Sequence, residues 1–157
     1  MSVFRECRLF VNATYLNDAE FRNCSNLVDV DLWNFTRCTT AVNYQAFNGC
    51  GMQVIKLPNM TIVPNYALRN PVVVYGDKVT RIGRYCINSS ASGRRLVIMS
   101  TTPPAIISGT EITNPTAGVR IYVPDVDVYK ASAAFSGIAS FLHPIAEYPE
   151  AEDLEFR

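Results

Sequence analysis

"AEFRNCSNLVDVDL", residues 19–32, and "AFNGCGMQVIKL", residues 46–57, are two copies of one pattern. Each has Phe-x-x-Cys and then apolar-x-x-apolar-x-Leu: Leu27, Val30 and Leu32 in the first, Met52, Ile55 and Leu57 in the second. A third copy, "FREC", precedes them at 4–7. Two weaker ones follow, with Leu68 and Ile87 in place of the Phe. The copies are spaced by 17, 26, 21 and 19 residues. A period near 20 residues with variable length marks a solenoid, in which each turn adds a strand and insertions become loops.

The alternation fits. Val30 and Leu32 fall on one side of a strand, with Asp29 and Asp31 on the other. "RLFVN" (8–12), "VVVYG" (72–76), "RLVIM" (95–99) and "RIYVP" (120–124) supply further strands. A strand with one apolar face cannot bury it alone; parallel stacking buries it against the turns of its own coil. The Phe would plug the coil, and the Cys reads as a small buried apolar residue, so Cys7, Cys24 and Cys50 are expected as equivalent buried thiols. Between strands, "MTIVPNYAL" and "VTRIGRYCI" place Pro64 and Gly83 at matching turn points. "FTRCTTAVNYQ" is longer than its counterpart, so Cys38 is expected in a loop insertion. Asn12, Asn34 and Asn59 close their units as turn formers, which also accounts for most of the Asn-x-Ser/Thr sequons.

Composition sets limits. The 157 residues are 48% hydrophobic and 18% charged with zero formal net charge, which suits a folded chain and opposes a broad electrostatic grip on nucleic acid or an anionic membrane. There is no apolar run long enough to span a bilayer as a helix. "MSVFRECRLF" is too charged for a signal peptide. The expected location is the cell surface or outside the cell if Met1 stands at a cut in a longer chain, and otherwise the cytoplasm or a virion. Five Cys fit a disulfide framework poorly. The lone His143 cannot build a zinc site, and no C-x-x-C, G-x-S-x-G or phosphate-binding loop occurs. The pairs Asp29/Asp31 and Asp125/Asp127 read as a solvated strand face and a helix cap. No catalytic, cofactor or metal residues are assigned, and the chain is expected not to be an enzyme.

The motifs "FRNCSNL", "AFNGC" and "VTRIGRYC" resemble BspA-like leucine-rich repeats. So does the closing segment, "LVIMSTTPPAI" followed by "VRIYVPDVDVYKASAAFSGIASFLHPI". The likeness covers residues 4–148, although the repeats vary in length and no N-terminal cap precedes Phe4. It implies an α/β-class leucine-rich-repeat solenoid, β-rich, with a parallel sheet of five to six short strands and a short capping helix begun by Asp125. Residues 1–148 form the solenoid and 149–157 an acidic, loose tail. The resemblance also implies protein binding or adhesion, with a host or bacterial surface protein as partner. The competing expectation is a structural subunit, for example of a virion, that associates with its own copies.

The strand residues expected to face outward are Arg8, Phe10, Asp29, Asp31, Val54, Lys56, Val73, Tyr75, Val97, Met99, Arg120 and Tyr122. Trp33 is an outward aromatic beside them. The binding face is expected at Phe10, Asp29, Asp31, Lys56, Val73, Tyr75, Val97, Arg120 and Tyr122, with Phe10, Asp31, Lys56, Val73, Val97 and Tyr122 in one row.

Overall fold

A computed structural model describes residues 6–7 (backbone alone), 13–17, 20–38, 46–64, 71–83, 86, 93–106 and 118–156. The chain winds as a parallel β solenoid of about four turns. Front-face strands alternate along the chain with two-residue back-face strands. The first two turns give β1 (Glu6–Cys7), β2 (Tyr15–Leu16), β3 (Asp29–Val30) and β4 (Arg37–Cys38). The next give β5 (Val54–Leu57), β6 (Ile62–Val63), β7 (Val72–Tyr75), β8 (Arg81–Ile82), β9 (Arg95–Ile98) and β10 (Ala105–Ile106). β11 (Arg120–Val123), helix α1 (Val126–Ala131) and β12 (Leu142–Pro144) close the stack. In front, β5, β7, β9, β11 and β12 make a five-stranded parallel sheet, and β1 and β3 form a separate pair.

The second repeat signal lies on the back. Ala13-Thr14-Tyr15-Leu16, Phe35-Thr36-Arg37-Cys38, Met60-Thr61-Ile62-Val63 and Val79-Thr80-Arg81-Ile82 are equivalent, each an apolar residue, Thr, a variable residue and an apolar one. The amides of Thr36, Thr61 and Thr80 donate to the carbonyls of Thr14, Thr36 and Thr61 at 3.0, 2.9 and 3.0 Å. The Thr61 hydroxyl also donates to Thr36, at 2.8 Å. A β-branched residue with a hydroxyl suits this strand entry, because it favours extended backbone and adds a donor.

Cys38 is therefore not in a loop insertion. It lies on a strand and is buried, as is Phe35. The first Phe-x-x-Cys copy is also out of step: Cys7 pairs with Val30, not with a residue of the Cys24 turn. The other two copies do stack. Phe21 and Phe47 lie with ring centroids 5.5 Å apart and planes 7° from parallel. The Phe21 and Asn23 amides donate to the Ala46 and Asn48 carbonyls. Asn23 and Gly49 both have a positive φ, 60° and 73°, which explains why this step is Asn in one copy and Gly in the other. Cys50 is half-buried, but Cys24 is exposed, contrary to expectation, because it sits on the outside of that turn. Leu27, Val30, Leu32, Met52, Ile55 and Leu57 are all buried, as the alternation requires.

Asp125 caps α1 by accepting from the Asp127 and Val128 amides at 3.0 and 3.1 Å. The helix covers the last coil with Tyr129, whose ring meets Phe135 and whose hydroxyl donates to the Ser100 carbonyl at 2.8 Å. The apolar interior runs from Leu16 to Leu142 as one cluster. A second, smaller cluster lies on the other side of the front sheet: Val72, Val74, Val97, Tyr122 and Tyr148, with Ile145, Leu154 and Phe156 packed against them.

Candidate functional site: the front face and its groove

The front row is set by strand pairing. Lys56 pairs with Val74, Val74 with Val97, Val97 with Tyr122, and Tyr122 with His143. Val73 and Tyr75 were expected outward, but both point into the coil and belong to the interior cluster. The strand reads Val-Val-Val-Tyr, so alternation has no polar residue to orient it, and the register of β5 and β9 does so instead. Phe10 and Arg8 lie outside the described residues. Arg120 is outward and exposed. Val97 and Tyr122 do face outward, yet Val97 is 0% and Tyr122 1% exposed. Something covers them.

The cover is the acidic end of the chain, so the described part of that tail is packed rather than loose. It crosses the strands one after another. Tyr148 sets its ring edge-on to Tyr122 over β11, with centroids 5.0 Å apart. Over β9, the Glu150 carboxylate pairs with the Arg95 guanidinium, which also lies 5.7 Å from the centre of the Tyr148 ring. Over β5, Lys56 Nζ donates to the carbonyls of Glu152 and Glu155, at 2.7 and 3.1 Å. These carbonyls end the 3₁₀ turn Ala151–Leu154, where a cation is favoured. The Tyr148 hydroxyl donates to Asp153 Oδ2 at 2.9 Å and ties the turn to the strand region. Burial, then the bond to Asp153, pushes the Tyr148 phenol above its usual range. Burial works against the charge on Arg95, but the neighbouring Glu150 carboxylate outweighs it and holds the guanidinium charged.

Beyond β5 the cover ends and a groove of about 680 Å³ opens between the tail, β5 and the 28–33 segment. The groove lies where the front ladder is broken, since β3 and β5 belong to different sheets. Here the coils meet through backbone instead. The Gly51 amide donates to the Cys24 carbonyl, and a Cβ on Gly51 would sit 2.3 Å from the Ser25 carbonyl oxygen, so only glycine permits the approach. The Asn59 side chain donates to the Trp33 carbonyl at 3.0 Å.

Asp29, Asp31 and Lys56 line this groove, so these three expected face residues do come together. Asp31 also accepts from the Trp33 amide at 2.9 Å, which holds the turn that projects the indole. Trp33 and Val28 remain 46% and 54% exposed, the largest apolar exposures on this side among the described residues. The tail contributes Glu152, Asp153, Glu155 and Phe156 to the lining. Trp33 was legible as an outward aromatic; the tail's part was hidden, although apolar Leu154 and Phe156 among acidic residues hinted that one side is buried. Among the described residues no three His, Cys, Asp or Glu side chains are grouped to hold a metal ion, and no helix is long and apolar enough to cross a membrane. No family model matches the sequence, and a search of curated proteins finds no match.

Proposed function

We propose that the chain is a non-catalytic protein-binding module, of the BspA-like leucine-rich-repeat kind that its motifs resemble, and that its contact site is the groove at the end of the front face. The observation that carries this reading is the lining. An exposed indole and an exposed Val stand beside five carboxylates, and the one ammonium present is already held by backbone carbonyls. A Lys- or Arg-bearing segment with an apolar anchor satisfies both features: aromatic side chains anchor interfaces, and complementary charge sets orientation and on-rate. Adhesion to another protein is the role this reading favours.

Trp33 is the single tryptophan, so its emission reports the groove directly. Synthetic decapeptides rich in Lys and Leu should shift that emission to the blue and saturate, and matched Glu-rich peptides should not. The double variant Asp29→Asn, Asp31→Asn should lose the response. Emission indifferent to every peptide, or moved equally by the acidic ones, overturns the reading. A stable oligomer that buries Trp33 without peptide, seen by sedimentation, would instead favour an assembly subunit.

A further inference from the structure

We propose that residues 145–156 are a resident ligand of the front sheet, and that the surface beneath them is a receptor for extended acidic peptides bearing an aromatic side chain. The argument starts from how the tail is held. None of its side chains enters the interior cluster, which is complete without them. The tail shares its apolar contacts with a separate cluster on the outer side of the sheet. Tyr148 is its one buried anchor, while Leu154 and Phe156 are partly buried. The tail crosses the sheet from outside and is not wound into a coil.

The surface it covers has the chemistry of a receptor. A row of Val74, Val97 and Tyr122 continues from one cation, Lys56 on β5, and is flanked by a second, Arg95, two residues before Val97 on β9. These strands are two apart, so the charges are separated by roughly 10 Å across the sheet. Each cation takes a different element of the tail: Arg95 a carboxylate, Lys56 two backbone carbonyls. Recognition of side-chain charge, backbone and one aromatic together is how extended peptides are read. The surface adjoins the groove and shares Lys56 with it, but its charge preference is the opposite one and its test reads a different ligand, so this inference stands whether or not the groove binds basic segments.

A tail in cis competes with a peptide in trans, and apparent affinity falls with the fraction of open receptor. The test uses the full chain. The double variant Tyr148→Ala, Phe156→Ala loosens the tail but leaves the interior untouched. A fluorescein-labelled peptide of residues 145–156 should bind this variant, by anisotropy, at least about tenfold more tightly than it binds the wild type. Adding Arg95→Glu to the loosened variant should abolish binding. Hydrogen exchange on the wild type gives a second reading: the tail amides should open before those of β7 and β9, by a sub-global route. The proposal is overturned if the folded loosened variant ignores the peptide, or if wild type binds it equally well. It also falls if the loosened variant unfolds, or if the tail amides exchange only with global unfolding, since the tail would then belong to the folding unit.

Discussion

Cys38 and Cys86, 4% and 0% exposed, behave as small apolar residues whose thiols resist ionisation. Burial pushes the Cys38 thiol up to about 12, and Cys86 higher still. A folded-state value above the unfolded one adds stability that is complete below the unfolded value and is lost as pH rises through the folded one. The unfolded thiol ionises near 9.0, so stability should hold below that pH and decline above it. Each thiol should contribute a slope of about 1.4 kcal/mol per pH unit. Denaturant midpoints at a series of alkaline pH values check this, and Cys38→Ala should flatten the decline. Native alkylation followed by mass spectrometry should label Cys24 rapidly and leave Cys38 and Cys86 untouched until the chain unfolds. Fast labelling of Cys38 would mean that β4 is not packed.

Among the elements, the back ladder carries the coil-to-coil register. Its threonines donate to neighbouring coils over separations of 22, 25 and 19 residues, so each coil is indexed to the one before despite unequal lengths. Thr61→Val keeps the shape and removes the 2.8 Å hydroxyl bond, and should cost about 1 kcal/mol. Phe47→Ala removes one ring of the stacked Phe21–Phe47 pair and should cost about 3–5 kcal/mol, because it opens a cavity between two coils. Urea midpoints measured on both variants test the pair. Equal losses would mean that the Phe stack contributes no more than one hydrogen bond.

For the molecule as a whole, the front sheet is packed on both sides. Tyr122 was expected outward; it lies outward, but beneath Tyr148. Tyr122→Ser should therefore lower stability by roughly 3 kcal/mol, in the range of large-to-small changes at buried sites. Trp33→Ser, at the exposed end of the same face, should shift the midpoint by less than about 0.5 kcal/mol. Thermal melts of the two variants side by side decide it. A Tyr122→Ser midpoint equal to wild type would show that the tail does not seal the sheet in solution.

The repeated Phe-x-x-Cys and the alternation around Val30 and Ile55 are local in origin. A residue's face on a half-buried strand is encoded two positions away, so parallel coils, their inward residues and the Asp125 cap could all be read from the sequence. The same rule is silent where a strand is apolar throughout. In Val72–Tyr75 the facing was decided by pairing with β5 and β9, which put Val74 in the row where Val73 had been expected. Most non-local of all is the tail's place. Lys56 meets carbonyls 96 and 99 residues further on, and Arg95 a carboxylate 55 residues further on. An acidic run has the composition of a solvated tail until a folded surface sets cations and apolar side chains opposite it. The sequence determined the coil; the covered face and the groove beyond it exist only once distant strands have been stacked side by side.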